Sequence, residues 1–426
     1  MKKEKTPIIR FKKFEHNWFK DCLSKVSKSI EYGLNASAKD YDGIHKYLRI
    51  TDIDESSRLF LTDKLSSPDV NFTIEDFENY KLQKNDLLFA RTGASVGKTY
   101  LYRESDGEVY YAGFLIRARL CDSFDGNFVF QQTLTDKYKQ FIEITSQRSG
   151  QPGVNGKEYG EWKIGMTSYH EQSAIGSLFR TLDDLLASYK DNLANYQSLK
   201  ATMLSKMFPK AGQTVPEIRL DGFDGEWECV KMENIFQIID GDRGKSYPGE
   251  SDFSSFGHTL FLDTGNVKKT GLDFSTTKFI SEEKDKELRN GKLILGDFIL
   301  TSRGTLGNVA YYDENIKKRY SSVRINSAML ILRPLLGDKI SPEYILAVLR
   351  GNLISDFMKV NQVGSAQPHI TKKEFSKIKV LVPSNFREQQ AIGAYFSNLD
   401  NLITSHQEKI SQLETLKKKL LQDMFI

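Results

Sequence analysis

The chain has 426 residues, with 60 Lys+Arg against 56 Asp+Glu and a formal net charge of +4. That length fits two or three domains at roughly 100–200 residues each. Its 39% hydrophobic and 27% charged residues exclude a disordered chain, a collagen and an uninterrupted coiled-coil rod. No apolar run approaches the roughly 18 residues of a membrane span. Met1-Lys2-Lys3-Glu4-Lys5 leads into no apolar segment, so a cytoplasmic protein with no membrane partner is expected. Cys22, Cys121 and Cys229 lie far apart with no CxxC pair, which removes a disulfide framework and a cysteine zinc site. Near-balanced charge neither argues for nucleic acid nor excludes it, because binding needs only a local basic face.

In chain order, residues 1–165 read as a mixed α/β domain. Apolar runs at Asp86–Ala90, Thr99–Tyr102 and Tyr110–Leu120, bounded by Gly, Asp and Asn, predict strands. Residues 166–209 form a central helical region whose helix covers Glu171–Phe208. Its 3.5-residue seam has Ile175, Leu182, Tyr189, Tyr196 and Met203 at a, and Leu178, Leu185, Asn192, Leu199 and Lys206 at d. At 1.5 Å per residue such a helix spans about 54 Å, and Pro209 and Gly212 stop it. Residues 210–385 predict a second mixed α/β domain, with strands at Lys292–Leu300 and Ala328–Leu332 and short amphipathic helices within Pro342–Met358. Residues 386–426 hold a second long helix, Glu388–Phe425, with Ile392, Leu399, His406, Leu413 and Leu420 at a, and Tyr395, Leu402, Lys409, Leu416 and Asp423 at d.

The chain repeats itself. At a shift of 217, Glu171–Phe208 falls on Glu388–Phe425 without a gap, and 15 of the 38 pairs are identical, among them Glu171/Glu388, Gln172/Gln389, Gly176/Gly393, Asp183/Asp400, Lys200/Lys417 and Phe208/Phe425. Pro7, Ile9, Arg10, Phe14 and Trp18 likewise match Pro216, Ile218, Arg219, Phe223 and Trp227. Between these landmarks the halves diverge. One long helix cannot hide its apolar seam alone, so the two copies are expected to pair antiparallel around a pseudo-two-fold, with a variable domain at each end.

Catalytic signatures are scarce. Gly93-Ala-Ser-Val-Gly97-Lys98-Thr99 has three residues between its glycines where a phosphate loop needs four, and it runs on into a strand rather than a helix. The second copy, Gly304-Thr305-Leu306-Gly307-Asn308, lacks the lysine. A strand–turn–strand element with a basic tip is the expected structure, with nucleotide binding at Gly93–Thr99 as the rival. There is no HExxH or GxSxG; the six histidines lack metal-ligand spacing, and no Pro-Pro dipeptide is present for an amino-methyltransferase. No catalytic or metal site is expected.

Both variable halves do carry basic and amide-bearing turns, whose side chains are of the kind that reach base edges and phosphates. In the first half these are Arg91, Thr92, Ser95, Lys98, Arg148, Gln151, Asn155 and Lys157. In the second they are Arg243, Lys245, Tyr247, Ser302, Arg303, Asn308, Arg319, Gln362, Ser365, Gln367 and His369. The bland reading is that such loops are ordinary soluble turns, but they recur at matching places in the two copies. Phe179, Leu186 and Leu193, matched by Phe396, Ile403 and Ile410, widen the apolar seams and are the expected partner-binding surface.

Glu388-Gln389-Gln390-Ala391-Ile392-Gly393, followed by Leu399-Asp400-Asn401-Leu402-Ile403, and its copy from Glu171 resemble the helical regions of Type I restriction–modification specificity subunits. Pro216-Glu217-Ile218-Arg219-Leu220 through Trp227 is similar to the opening of their target recognition domains. The resemblance covers the whole chain in order. It implies two α/β target recognition domains separated by an antiparallel pair of long coiled-coil helices, and a non-catalytic subunit of a DNA-methylating restriction system. That subunit would read one half of an interrupted, asymmetric double-stranded DNA target with each domain. It would carry two methyltransferase subunits and two restriction (motor-nuclease) subunits, to which S-adenosylmethionine, ATP and magnesium belong. The rival without base readout is a helical scaffold or adaptor.

Overall fold

A computed structural model describes residues 6–147, 151–335, 339–361 and 369–426. The chain divides into two compact units, Met1–Asp191 with Glu408–Ile426, and Asn192–Gln407. The division therefore falls inside both long helices rather than between domains and helices.

The first unit runs through β1 (Phe19–Cys22), β2 (Ser27–Tyr32), β3 (Lys46–Leu48), β4 (Asp86–Ala90), β5 (Thr99–Leu101), β6 (Val109–Tyr111) and β7 (Leu115–Leu120). Then come α1 (Gly126–Gln132), α2 (Asp136–Thr145), β8 (Lys163–Met166) and the start of α3 (Tyr169–Lys206). Its main sheet has the order β2-β7-β4-β5, all antiparallel. β3 pairs parallel with β6, and β1 pairs antiparallel with β8 just before the long helix.

The second unit repeats this plan. It contains β9 (Trp227–Lys231), β10 (Phe236–Asp240), β11 (Thr259–Leu262), β12 (Phe298–Thr301), β13 (Val309–Tyr311), β14 (Val323–Ile325) and β15 (Met329–Pro334). These are followed by α4 (Pro342–Arg350), α5 (Leu353–Asn361), β16 (Lys379–Pro383) and the start of α6 (Phe386–Asp423). The sheet order is β10-β15-β12-β13, β11 pairs parallel with β14, and β9 pairs antiparallel with β16.

Two predicted strands differ. Tyr110–Leu120 is broken by a turn at Ala112-Gly113-Phe114, where the continuous apolar run conceals a change of sheet. Lys292–Leu300 is strand only from Phe298, because Asp297 ends the preceding loop by accepting the Ile294 amide at 2.8 Å.

Buried ion pairs fix the same register in both sheets. Asp86 is fully buried at the start of β4 and takes both oxygens to Arg119, at 2.8 and 2.9 Å. Asp297 before β12 does the same with Arg333, at 2.9 and 2.8 Å. A carboxylate this deep is tolerable only with its counter-charge and hydrogen bonds in place.

The repeated Glu-Gln…Ile-Gly motif docks each long helix onto its own unit. Glu171 is buried and accepts two hydrogen bonds from Arg10, at 2.7 and 2.8 Å; Glu388 accepts two from Arg219, both at 2.8 Å. Burial pushes the Glu171 carboxyl up, but the bonds from Arg10 and Thr167 outweigh this and hold it below its ordinary value. The Gln172 amide oxygen accepts the backbone N–H of Asp125, the N-cap of α1; that of Gln389 accepts Ser341, the N-cap of α4. Gly176 and Gly393 let the helices approach these caps: a Cβ would lie 2.3 Å from Asp125 Oδ1 at Gly176 and 2.6 Å from the Tyr344 nitrogen at Gly393.

Each unit then receives the far end of the other long helix, antiparallel. In the first, Phe179 stacks on Phe425 at 5.7 Å between ring centroids, Asp183 pairs with Lys417 at 2.5 Å and Lys190 with Glu414 at 2.8 Å. In the second, Phe396 stacks on Phe208 at 5.7 Å, Asp400 pairs with Lys200 at 2.5 Å and His406 packs on Tyr196. Phe425 also meets Trp18 and Phe128, while Phe208 meets Trp227 and Tyr344.

This packing corrects the expected partner stripe. Phe179, Leu186, Phe396 and Ile403 are buried, and Leu193 and Ile410 are half-buried, Ile410 against the first unit's core. The residues left exposed are the d-position leucines: Leu185 (39%), Leu199 (40%), Leu402 (40%) and Leu416 (44%).

Candidate nucleic-acid interface

In both units the main sheet ends in the same set of loops. β2 leaves at Gly33 and β10 at Gly241. There a Cβ would sit 2.2 Å from the Ala112 carbonyl oxygen and 2.0 Å from that of Asn326, so each glycine lets two chains cross at one place. Beside this crossing the Arg91 amide donates to the Phe114 carbonyl (3.1 Å) in the first unit, and Ser302 donates to Ala328 (2.9 Å) in the second. In turn Val154 donates to the Arg91 carbonyl (2.9 Å) and Ile370 to that of Ser302 (3.0 Å). The frame is common; the side chains on it are not.

In the first unit the frame brings together Arg91, Thr92 and Gln151. Sequence reasoning missed two neighbours, Tyr32 and Phe114, which are 45% and 61% exposed. The Arg91 guanidinium lies over both rings, at 5.2 and 5.8 Å from their centroids. Lys157 is exposed on a short neighbouring helix, and Ser95 is half-buried elsewhere in the loop. Asn155 is the N-cap of that helix, accepting the Glu158 amide at 3.0 Å, so its side chain is spent on structure.

Lys98 requires a larger correction. The turn between β4 and β5 is the expected hairpin, but its tip is not basic: Lys98 is buried, donates to the Ile53 carbonyl at 3.1 Å and pairs with Glu55 at 2.8 Å. Nor can the loop cradle a phosphate. The amides of Gly93, Val96, Gly97 and Lys98 already donate to Pro152, Gly93, Ala90 and Ser95 carbonyls.

In the second unit Arg243, Lys245 and Arg303 are exposed around the Ser327-Ala328 turn. Arg243 donates to the Ser327 carbonyl at 3.1 Å, and the Arg303 amide donates to Ala328 at 3.2 Å. Buried Asp242 ties down the 241–247 loop, accepting the amides of Gly244, Arg289 and Asn290 at 2.7, 2.6 and 3.1 Å. Burial raises its carboxyl, but these three donors hold it below the ordinary range. Ser302 is buried and donates to the Ala328 carbonyl, Asn308 donates to the Val267 carbonyl at 2.8 Å, and Tyr247 packs on Phe261. These three build the loop rather than face outward. Arg319 lies over Phe274 and Tyr320, away from the turn, and His369 is exposed. Arg148, Gln362, Ser365 and Gln367 lie outside the described residues.

Among the described residues no group of three or more His, Cys, Asp or Glu is placed to hold a metal ion, and no helix is long and apolar enough to cross a membrane. Residues 224–415 match the family model for the Type I restriction modification DNA specificity domain. Residues 224–415 thus carry a domain of this family. The chain is 21% identical to the Type I restriction enzyme MjaVIII specificity subunit of Methanocaldococcus jannaschii over 393 residues, covering 90% of this chain and 85% of that one. Its fold resembles the crystal structure of the S subunit of a Type I restriction–modification system from M. genitalium. There the TM-score is 0.66 at 17% identity, over 99% of both chains. Most of the 224–415 match lies in the second unit, and the first repeats the strand order of its main sheet.

Proposed function

We propose that the chain reads an interrupted, asymmetric double-stranded DNA target, one half-site with each unit, and does no chemistry itself. The observation that carries this is the duplicated frame with different side chains on it. Arg91, Tyr32 and Phe114 stand in the first unit where Ser302, Asp240 and Ala328 stand in the second. Two copies of one reader with different contact residues suit two different half-sites. The repeat of the frame within one chain suits two half-sites about one helical turn, roughly 34–36 Å, apart along the DNA.

In this reading two methyltransferase subunits and two motor-nuclease subunits bind the chain and hold S-adenosylmethionine, ATP and magnesium. The leucines left exposed on the long helices, Leu185 with Leu416 and Leu402 with Leu199, offer the same apolar surface once per unit, which fits two copies of one partner. Co-expression with the neighbouring methyltransferase, followed by sequencing of modified adenines, tests the function. A split motif with unlike halves is expected; a continuous or palindromic motif, or none, overturns it.

A further inference from the structure

The first unit holds a cavity of about 680 Å³ whose two exposed rings, Tyr32 and Phe114, have no aromatic counterpart at the matching positions of the second, Asp240 and Ala328. It lies between the end of β2, the Gly113-Phe114 turn and the segment from Arg49 to Thr51. Tyr47 lines it and is almost wholly buried; its hydroxyl donates to the carbonyls of Leu34 (2.8 Å) and Ala36 (3.0 Å), so the ring is fixed. Phe114 lines the opening as one of the most exposed large apolar side chains of the unit.

Two guanidinium groups flank the cavity. That of Arg91 is held over the rings of Tyr32 and Phe114 and, among the described residues, has no carboxylate partner. That of Arg49 is clamped by Asp52, with both bonds at 2.9 Å. A rigid aromatic pocket with an exposed ring and a cation at its mouth matches a flat aromatic group next to a negative charge.

We propose that this cavity receives a nucleobase unstacked from the duplex, resting on Phe114 with its phosphate near Arg91, and that this happens in only one half-site. The inference rests on the DNA-reading function above. Bases taken out of a stack are held elsewhere in nature by aromatic rings and arginine planes, since every base has a π-face. At the matching places the second unit has Asp240, Ser302 and Ala328, which offer neither a ring nor a guanidinium.

The test uses the full chain in complex with its methyltransferase subunits and duplexes carrying the mapped target. 2-Aminopurine is placed in turn at each position of both half-sites. A base leaving the stack brightens this probe. Apart from the adenines that the methyltransferase itself takes out of the stack, one position, or two adjacent ones, should brighten several-fold, and only in one half-site. Phe114→Ala and Phe114→Leu should both abolish the rise and weaken binding by about five- to a hundred-fold, while Phe114→Tyr keeps both. Leucine preserves apolar volume without a ring, and the site is exposed, so lost folding does not mimic the result. If no position besides the modified adenines brightens, or if that rise survives in Phe114→Ala, the proposal fails while sequence-specific binding stands. If the wild-type complex binds target and scrambled duplexes equally, DNA reading fails and the proposal falls with it.

Discussion

The loops at the end of the first unit's sheet present rings and a guanidinium, whereas those of the second present exposed arginines and a lysine around a small turn. Both sets grow from strands in the same order and from the same glycine crossing. The difference shows where sequence freedom resides. The frame is fixed by groups that never reach the surface: Asp86 with Arg119, Asp297 with Arg333, and the glutamate, glutamine and glycine that seat each helix. With the frame secured there, the rim can change residue by residue without unfolding the sheet.

If the two frames are equivalent, damaging them at matching points should cost the same. Phe179→Ala and Phe396→Ala each remove a buried stacked ring and should destabilise their own unit by about 3–5 kcal/mol, read by hydrogen exchange within that unit. A difference of more than about 2 kcal/mol would break the equivalence. Next in size, Leu185→Glu and Leu402→Glu should each cost about 2 kcal/mol or more of partner affinity and remove one methyltransferase copy in native mass spectrometry. Two copies retained in the double variant would put the docking surface elsewhere.

The rims should respond unequally. Asp242→Ala strands three backbone donors and should loosen the 241–247 loop by about 1–3 kcal/mol, weakening the second half-site alone. The first unit has Leu34 at that place. Because the Asp242 carboxyl is held below its ordinary value of 3.8, its contribution is complete above that pH and fades as pH falls through the lower folded value. Protection of the 241–247 amides should follow that course, and a loop unaffected by acid would count against it.

Arg303→Ala should lose about 1–3 kcal/mol of discrimination at particular base pairs of one half-site. Uniform weakening with a shallower salt slope would make Arg303 a phosphate contact instead. The smallest effect belongs to Lys98→Met, which should leave both DNA affinity and its salt slope unchanged. A slope smaller by about one would return Lys98 to the phosphate contacts.

The repeat, the long helices and most strands were legible because each leaves a periodic or self-similar trace. The inward face of the helices was not. A 3.5-residue seam assigns Leu185 and Leu402 inward, but an α-helix drifts about 20° per heptad against that period. The packed face therefore rotates toward Phe179, Leu186 and Ile403. Lys98 looked like a loop tip because sequence does not show that Glu55 and Ile53, some forty residues earlier, close over it. Phe114 was hidden inside what read as one continuous strand. A single ring in a turn has no period to betray it.

Residues 408–426 complete the core of the first unit, placing Met424 and Phe425 against Trp18, Phe128 and Phe179. During synthesis at about 5–20 residues per second, the 217-residue shift between the two helices corresponds to roughly 10–40 s. For that interval the first repeat exists with an open apolar slot, while the second, which is contiguous from Asn192 to Gln407, is complete once Gln407 is made, before residues 408–426 follow. The order of manufacture is thus the reverse of the order of completion. Shortening residues 408–426 should injure the repeat farthest from them in sequence.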